Sequence, residues 1–293
     1  MSTRRTLTTA LAAATTLTLV ANAPAALLLE WTFDETGGPA INSGTLGAAG
    51  DGTLGATTTR TANTPSGSGF AADLSAPGST STVSAGDLDV IDGLTTFTLS
   101  TWINIQDLNS AQGGSGNVRL ISEQGGGTFP GPSWNLNNPN SGDRAADNVR
   151  TALFVGGDSA FGAGFQDLVD IDAEDKWVFL AVTANTSGAN PVMVFYVGGQ
   201  NTPLVVAGST LLPNLGPVAS DGAAATEFGI GFTSAAPTAD VSLNGYQDNV
   251  RVWDEVLSRQ ALEDIRLADG GGIPEPASLS LLALGGLTLL RRR

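Results

Sequence analysis

The sequence predicts an all-β fold, a sandwich or barrel of short strands, with one short C-terminal helix and an apolar helical segment at each terminus. Three observations carry that prediction. Apolar and β-branched residues recur with a period of two in short runs, which is the signature of strands with one face buried. The runs are punctuated by Gly, Pro, Asn and Asp, with 38 Gly and 14 Pro in 293 residues, and such residues make turns. No helical apolar period fills the gaps between runs, and many short strands without intervening helices make a sandwich or barrel. One sandwich domain of roughly 200–250 residues fits this length.

Taken in order, the chain opens with Arg4 and Arg5, an uncharged stretch from Thr6 to Val20, and then small residues. Ala23 and Ala25 occupy the −3 and −1 places of an A-x-A cleavage site, so residues 1–25 read as a secretory signal peptide. In "LLLEWTF", Leu27, Leu29, Trp31 and Phe33 share one face. In "TFTLSTWINI", Phe97, Leu99, Thr101 and Ile103 share one face and Trp102 takes the other. "WVFLAVTA" and "VMVFYVGG" form a strand pair ending in a Gly198-Gly199 turn, and "FGIGF" and "YQDNVRVW" repeat the habit. A helix is expected from Ser258, as N-cap, to about Leu267, because Leu257, Ala261 and Ile265 recur at four-residue steps with Leu262 beside them. The Gly-rich 269–273 reads as a flexible hinge.

The order of these landmarks resembles a LamG-like domain. The first strand with its acidic turn, the strand bearing Trp102, the pair "DKWVFLAVTANTSGANPVMVFYVGGQ" and the closing "LNGYQDNVRVWDEVLSRQALEDI" occur in that family's order. The resemblance runs from Leu27 to Ile265 and places the domain at 26–268. It implies a concanavalin A-like jelly-roll sandwich of two antiparallel sheets.

The chain closes with "IPEPASLSLLALGGLTLLRRR". Ala277–Leu290 is 14 residues, about 21 Å as a helix, against a hydrocarbon core of roughly 30 Å. Pro274-Glu275-Pro276, an apolar run and the terminal Arg291, Arg292 and Arg293 together resemble the PEP-CTERM sorting signal, here 274–293. That resemblance implies recognition by an exosortase in a bacterium that carries the protein to its surface or extracellular matrix. With the signal peptide it implies passage through a secretion translocon and signal peptidase, with transient anchoring in the inner membrane.

Composition narrows the chemistry. The chain has no Cys and no His, which removes disulfides, thiolate catalysis and the usual neutral-pH base. The formal charge is −15 from 13 basic and 28 acidic residues. With the five terminal arginines set aside, the body is near −20. A body this acidic repels nucleic acid and suits divalent cations.

Three candidate sites follow. The LamG-like resemblance implies a structural Ca²⁺ at Asp34 and Asp248, where the alternative is turn and strand-end hydrogen bonding. "DLDVIDG" lacks the ligand alternation of an EF-hand. In "DIDAED", Asp170, Asp172 and Glu174 alternate as in laminarinase-type glycosidases, but the first acid is Asp and the apolar residue before the last Glu is missing. A solvated acidic turn is therefore preferred, and no catalytic residue is expected. Trp134, with Asn135 and Asn137, either stacks on a sugar or begins a strand that packs into the sandwich. The functional expectation is a non-catalytic adhesion module for extracellular polysaccharide or surface proteins, with no cofactor beyond Ca²⁺. The rivals are a glycoside hydrolase and a purely structural matrix component.

Overall fold

The structure is a computed structural model describing residues 25–76, 81–106, 117–124, 132–137, 149–157, 160–168, 175–218, 227–231 and 243–271. The signal-peptide segment, the sorting tail and Asp170–Glu174 lie outside the described residues. The early strands are β1 (Leu27–Trp31), β2 (Thr53–Leu54), β3 (Thr59–Thr61), β4 (Ala71–Asp73) and β5 (Val83–Ser84). Longer strands follow: β6 (Thr96–Ile105), β7 (Asn117–Gln124), β8 (Ser133–Asn137), β9 (Val149–Gly157) and β10 (Ala160–Leu168). The last are β11 (Trp177–Asn185), β12 (Val192–Gly199), β13 (Val205–Leu211), β14 (Glu227–Ile230) and β15 (Gly245–Trp253), closed by helix α1 (Arg259–Asp269).

These strands form two antiparallel sheets. One is 8-stranded, in the order β13-β12-β11-β6-β15-β4-β3 with β1 also on β15, and the other is 7-stranded, β10-β9-β8-β7-β14-β5-β2. Period-two alternation decides what lies between them. Phe97, Leu99 and Ile103 of β6 and Leu180 and Val182 of β11 meet Leu120, Ile121, Trp134 and Phe228 from the opposite sheet. Trp31 ties this core to the loop after β1. Its ring meets Phe228 edge-on at 6.1 Å, and its Nε1 donates to the Gly50 carbonyl at 2.7 Å.

The outward faces of the two sheets differ. On the 8-stranded sheet the alternate residues of β6, β11 and β12 are themselves large and apolar: Trp102, Phe179 and Tyr196. They form a second cluster, which Leu262 of α1 seals. The helix starts where expected, because Ser258 Oγ accepts the Ala261 N–H at 3.1 Å. It continues to Asp269, two residues past the expected end. Arg266, 2% exposed, reaches under the helix to the Gly199 carbonyl and to both carboxylate oxygens of Glu263. On the 7-stranded sheet Arg119, Ser122, Ser133 and Asn135 take the outward parity on β7 and β8, and the last three are buried.

Candidate functional site

The first acidic centre lies on β15 and at the exit of β1. Against β6, β15 is bulged between Asp248 and Arg251, and Asn249 sits in the left-handed region at φ 50°, which Asn tolerates better than most residues. The bulge leaves Asp248 beside Trp102, 3% exposed, with its Oδ1 accepting the Asn249 N–H at 2.7 Å. Asp34 follows Phe33, itself at φ 58°. Its Oδ1 accepts the Phe70 N–H at 2.9 Å. Gly69 makes that approach possible: at φ +79° it is already left-handed, and a Cβ there would lie 2.0 Å from Asp34 Oδ1.

Burial pushes the Asp248 carboxyl well above the usual carboxylate range. The Asn249 N–H and the Arg251 charge oppose this, while Asp34 and Asp269 reinforce it. Arg251 anchors the surroundings. It donates from Nε to Glu30 Oε1 at 2.6 Å, and from Nη1 and Nη2 to Asp269 at 2.5 and 2.8 Å. The Trp102 indole adds a bond to Asp269 Oδ2 at 3.2 Å. Although burial works against both charges, these partners hold the Arg251 guanidinium above its ordinary value. Burial also opposes the charge of Glu30, yet Arg251 and the Ser43 hydroxyl leave that carboxylate below its usual range.

Asp34 and Asp248 thus interact electrostatically, and each sets its Oδ1 on a backbone N–H. Hard carboxylate oxygens fit Ca²⁺, which takes six to eight oxygen ligands. The pair fits as the anionic part of such a site, with carbonyls or water needed for the rest.

A second acidic centre went unrecognised in the sequence. Asp89 and Asp92, in the segment between β5 and β6, place carboxylate oxygens within 4.8 Å of one another and of Glu123 on β7. Glu123 is 0% exposed and registers with the core residue Phe228. A bulge in β7 between Arg119 and Ile121 is responsible. It turns both Leu120 and Ile121 inward and shifts the alternation after them. Only "DLDVIDG" was visible as an acidic run; the third carboxylate comes from a strand whose parity this bulge reverses.

The third feature is the outward face of the 7-stranded sheet. Thr53, Ser84 and Gly229 register across β2, β5 and β14, and Arg119 registers with Asn135 across β7 and β8. Ser84 Oγ donates to Glu227 Oε2 at 2.9 Å. At the β2 edge this face opens into a shallow groove of about 420 Å³ lined by Asp51, Thr53, Thr82, Ser84 and Glu227 among others.

Of the expected sugar-contacting residues, Trp134 is buried at 1% exposure, and its Nε1 donates to Thr151 Oγ1 at 2.7 Å. Its ring faces are enclosed by the core, so stacking on a sugar gives way to strand packing. "SWNLN" carries the reason, since Trp134 and Leu136 alternate inward. Asn135 points the other way and is 2% exposed. Asn137 registers with Asn117 and Arg150 at the end of β8. Trp31, Trp102, Trp177 and Trp253 are buried as well, so no tryptophan offers an open face.

Comparison with known proteins places this architecture. The chain shares its fold with the binding domain of botulinum neurotoxin serotype G, at TM-score 0.55 and 13% identity over 83% of this chain and 51% of that one. The binding domain of Paraclostridial Mosquitocidal Protein 1 gives TM-score 0.54 and 9% identity over 83% and 52%. The receptor binding domain of botulinum neurotoxin D gives 0.55 and 13% over 83% and 52%. The chain thus spans about half the length of these structures. No curated protein matches it. The profile of the Laminin_G_3 family, the concanavalin A-like lectin/glucanases superfamily, matches residues 77–263, more than half of the chain. With the two-sheet topology above, the chain belongs to the concanavalin A-like lectin/glucanases superfamily.

Proposed function

We propose that this protein is an exported, surface-sorted binding module that holds extracellular glycan without cleaving it. The observation that carries the reading is the contrast between its two outward faces. One is apolar and sealed by α1; the other opens at its β2 edge into the hydroxyl- and carboxylate-lined groove beside Ser84 and Glu227. A polar face built on rigid strands suits a hydroxyl-rich ligand, because each sugar hydroxyl needs a donor or acceptor in exchange for water. Binding without Trp stacking would rest on these polar groups.

A non-catalytic role is supported by the surroundings of the described carboxylate clusters. Glu123 is enclosed within the sandwich, and Asp248 lies under the Asp34 turn. Glycoside hydrolysis needs two carboxyl groups flanking a substrate bond, and neither centre leaves room for a polymer. Ca²⁺ at Asp34 and Asp248 would act as a staple. Export and exosortase sorting rest on Ala23, Ala25, Pro274-Glu275-Pro276 and the terminal arginines.

A polysaccharide-binding and hydrolysis screen of the full-length protein, with and without Ca²⁺, tests the reading. Retention of neutral or acidic glycans with no reducing ends released is the expected result. Release of reducing ends, lost on changing Asp170 or Glu174, would establish the hydrolase instead.

A further inference from the structure

Two residues along their strands from Ala71, Trp102 and Phe179, the outward face of the 8-stranded sheet changes character. Thr59, Asp73, Tyr246, Asn104 and Trp177 register in one row across β3, β4, β15, β6 and β11. They share the parity of the outward apolar cluster and so lie on its side of the sheet. Trp177 and Asn104 are buried; the Trp177 indole donates to Asn63 Oδ1 at 3.0 Å, and Asn104 Oδ1 accepts from Gln106 Nε2 at 2.8 Å. Tyr246 and Asp73 are partly exposed and Thr59 is exposed, so the row opens toward its β3 end. The Tyr246 ring packs beside that of Trp177, with centroids 6.4 Å apart. Asp73 is oriented by Ser75, whose N–H and hydroxyl donate to Asp73 Oδ1 at 3.0 and 2.5 Å. Asp175 joins from the turn before β11: it is exposed, and its N–H donates to the Ile105 carbonyl at 3.0 Å. Burial, Asp73 and Asp175 together push the Tyr246 phenol up, which marks both carboxylates as neighbours of the ring.

An aromatic ring with two carboxylates beside it suits a cation, because the ring face attracts one directly and the acids set a negative potential around it. The net charge of −15 draws cations toward the protein in general. A partly exposed tyrosine also presents an apolar face, which matches the C–H face of a pyranose. We propose that Tyr246, Asp73 and Asp175 form a subsite for an amino sugar with a free amine, its ring against Tyr246 and its ammonium held by the two carboxylates. This rests on the glycan-binding reading and narrows its ligand class. N-acetylation removes the charge and with it the hold of Asp73 and Asp175.

The test is calorimetry on the full-length protein with four tetramers: β-1,4-linked glucosamine, its fully N-acetylated form, the matching glucose oligomer and tetralysine. Wild type is expected to bind the glucosamine tetramer more tightly than the two neutral sugars and more tightly than tetralysine. Tyr246→Ala should weaken glucosamine binding roughly threefold to thirtyfold, whereas Tyr246→Phe keeps the ring and should keep the affinity. Asp175→Asn should weaken it by up to about fivefold and leave the N-acetylated tetramer unaffected. Asp175 stands at φ 62°, which Asn tolerates, and its exposure keeps this variant informative should Tyr246→Ala misfold. The proposal is overturned if wild type binds the three sugars alike, if tetralysine binds as tightly as the glucosamine tetramer, or if Asp175→Asn keeps the full preference for the free amine. Neutral glycans that bind without any such preference would remove this subsite alone; failure of every glycan to bind would remove the broader functional reading with it.

Discussion

Asp248 shows how one buried carboxyl couples acidity to cation binding. Its folded pKa is raised by burial and by the neighbouring acids, so the folded state holds its proton more tightly than the unfolded chain does. The contribution to stability is therefore full below the unfolded value of about 3.9 and is lost as pH rises through the raised folded value. A cation seated between Asp34 and Asp248 would reverse that loss, because it takes the proton's place. In thermal melts at neutral pH, Ca²⁺ at about a hundred times its Kd should add about 2.7 kcal/mol to wild type. Asp248→Asn keeps the oxygen that accepts from Asn249. It should be at least as stable as wild type without Ca²⁺, lose the fall of stability with pH, and gain nothing from Ca²⁺. An equal Ca²⁺ response in both proteins would place the cation elsewhere, with Asp89, Asp92 and Glu123 the next place to look. The Asp34–Asp248 pairing was legible through the family resemblance. The Asp89–Asp92–Glu123 grouping was not, since a bulge leaves no mark in composition or spacing.

At the scale of elements, α1 is a lid fastened at both ends. Ser258 caps its start, while Asp269 at its close is clamped by Arg251 and Trp102. Ser258→Ala should cost about 1 kcal/mol, the usual value for a lost N-cap. Arg251→Met leaves Glu30 and Asp269 facing each other without their cation, and loss of one partner of a buried pair costs about 3–5 kcal/mol. Chemical denaturation should rank the two in that order. If Arg251→Met proved the milder, the clamp would not be what holds the helix. The start of the helix was legible because cap and periodicity agree on it, while its end lies two residues past the expected one, at Asp269. Strands such as β6, β11, β12 and β15 were legible from alternation. What alternation alone left open was which face each tryptophan would take. Trp102 follows its parity to the outward face and is buried there nonetheless, because a helix from the far end of the sequence covers it.

For the whole molecule, charge, topology and address form one account. The sandwich and its family were readable from the order of four weak motifs, since long-range pairing must respect chain order even where no single motif is decisive. The proposed route out of the cell rests on the terminal segments. If the proposed export and sorting are correct, intact mass spectrometry of the surface fraction should find a species well below 29.6 kDa, beginning at Ala26 and lacking the terminal arginines. Recovery of the complete 293-residue chain from that fraction would refute processing at both ends. None of the described helices is long and apolar enough to cross a membrane.

The Arg251–Asp269 clamp bears on mechanics as well as on folding. Helix α1 ends at Asp269, which is itself one member of that ion pair. Any tension on a tether beyond it is delivered first to Arg251, on a strand flanked by β6, β4 and β1. Pulling there must shear several strands at once instead of unzipping one from the rim. A protein held by this end would therefore resist drag best in the direction from which its own anchor tugs.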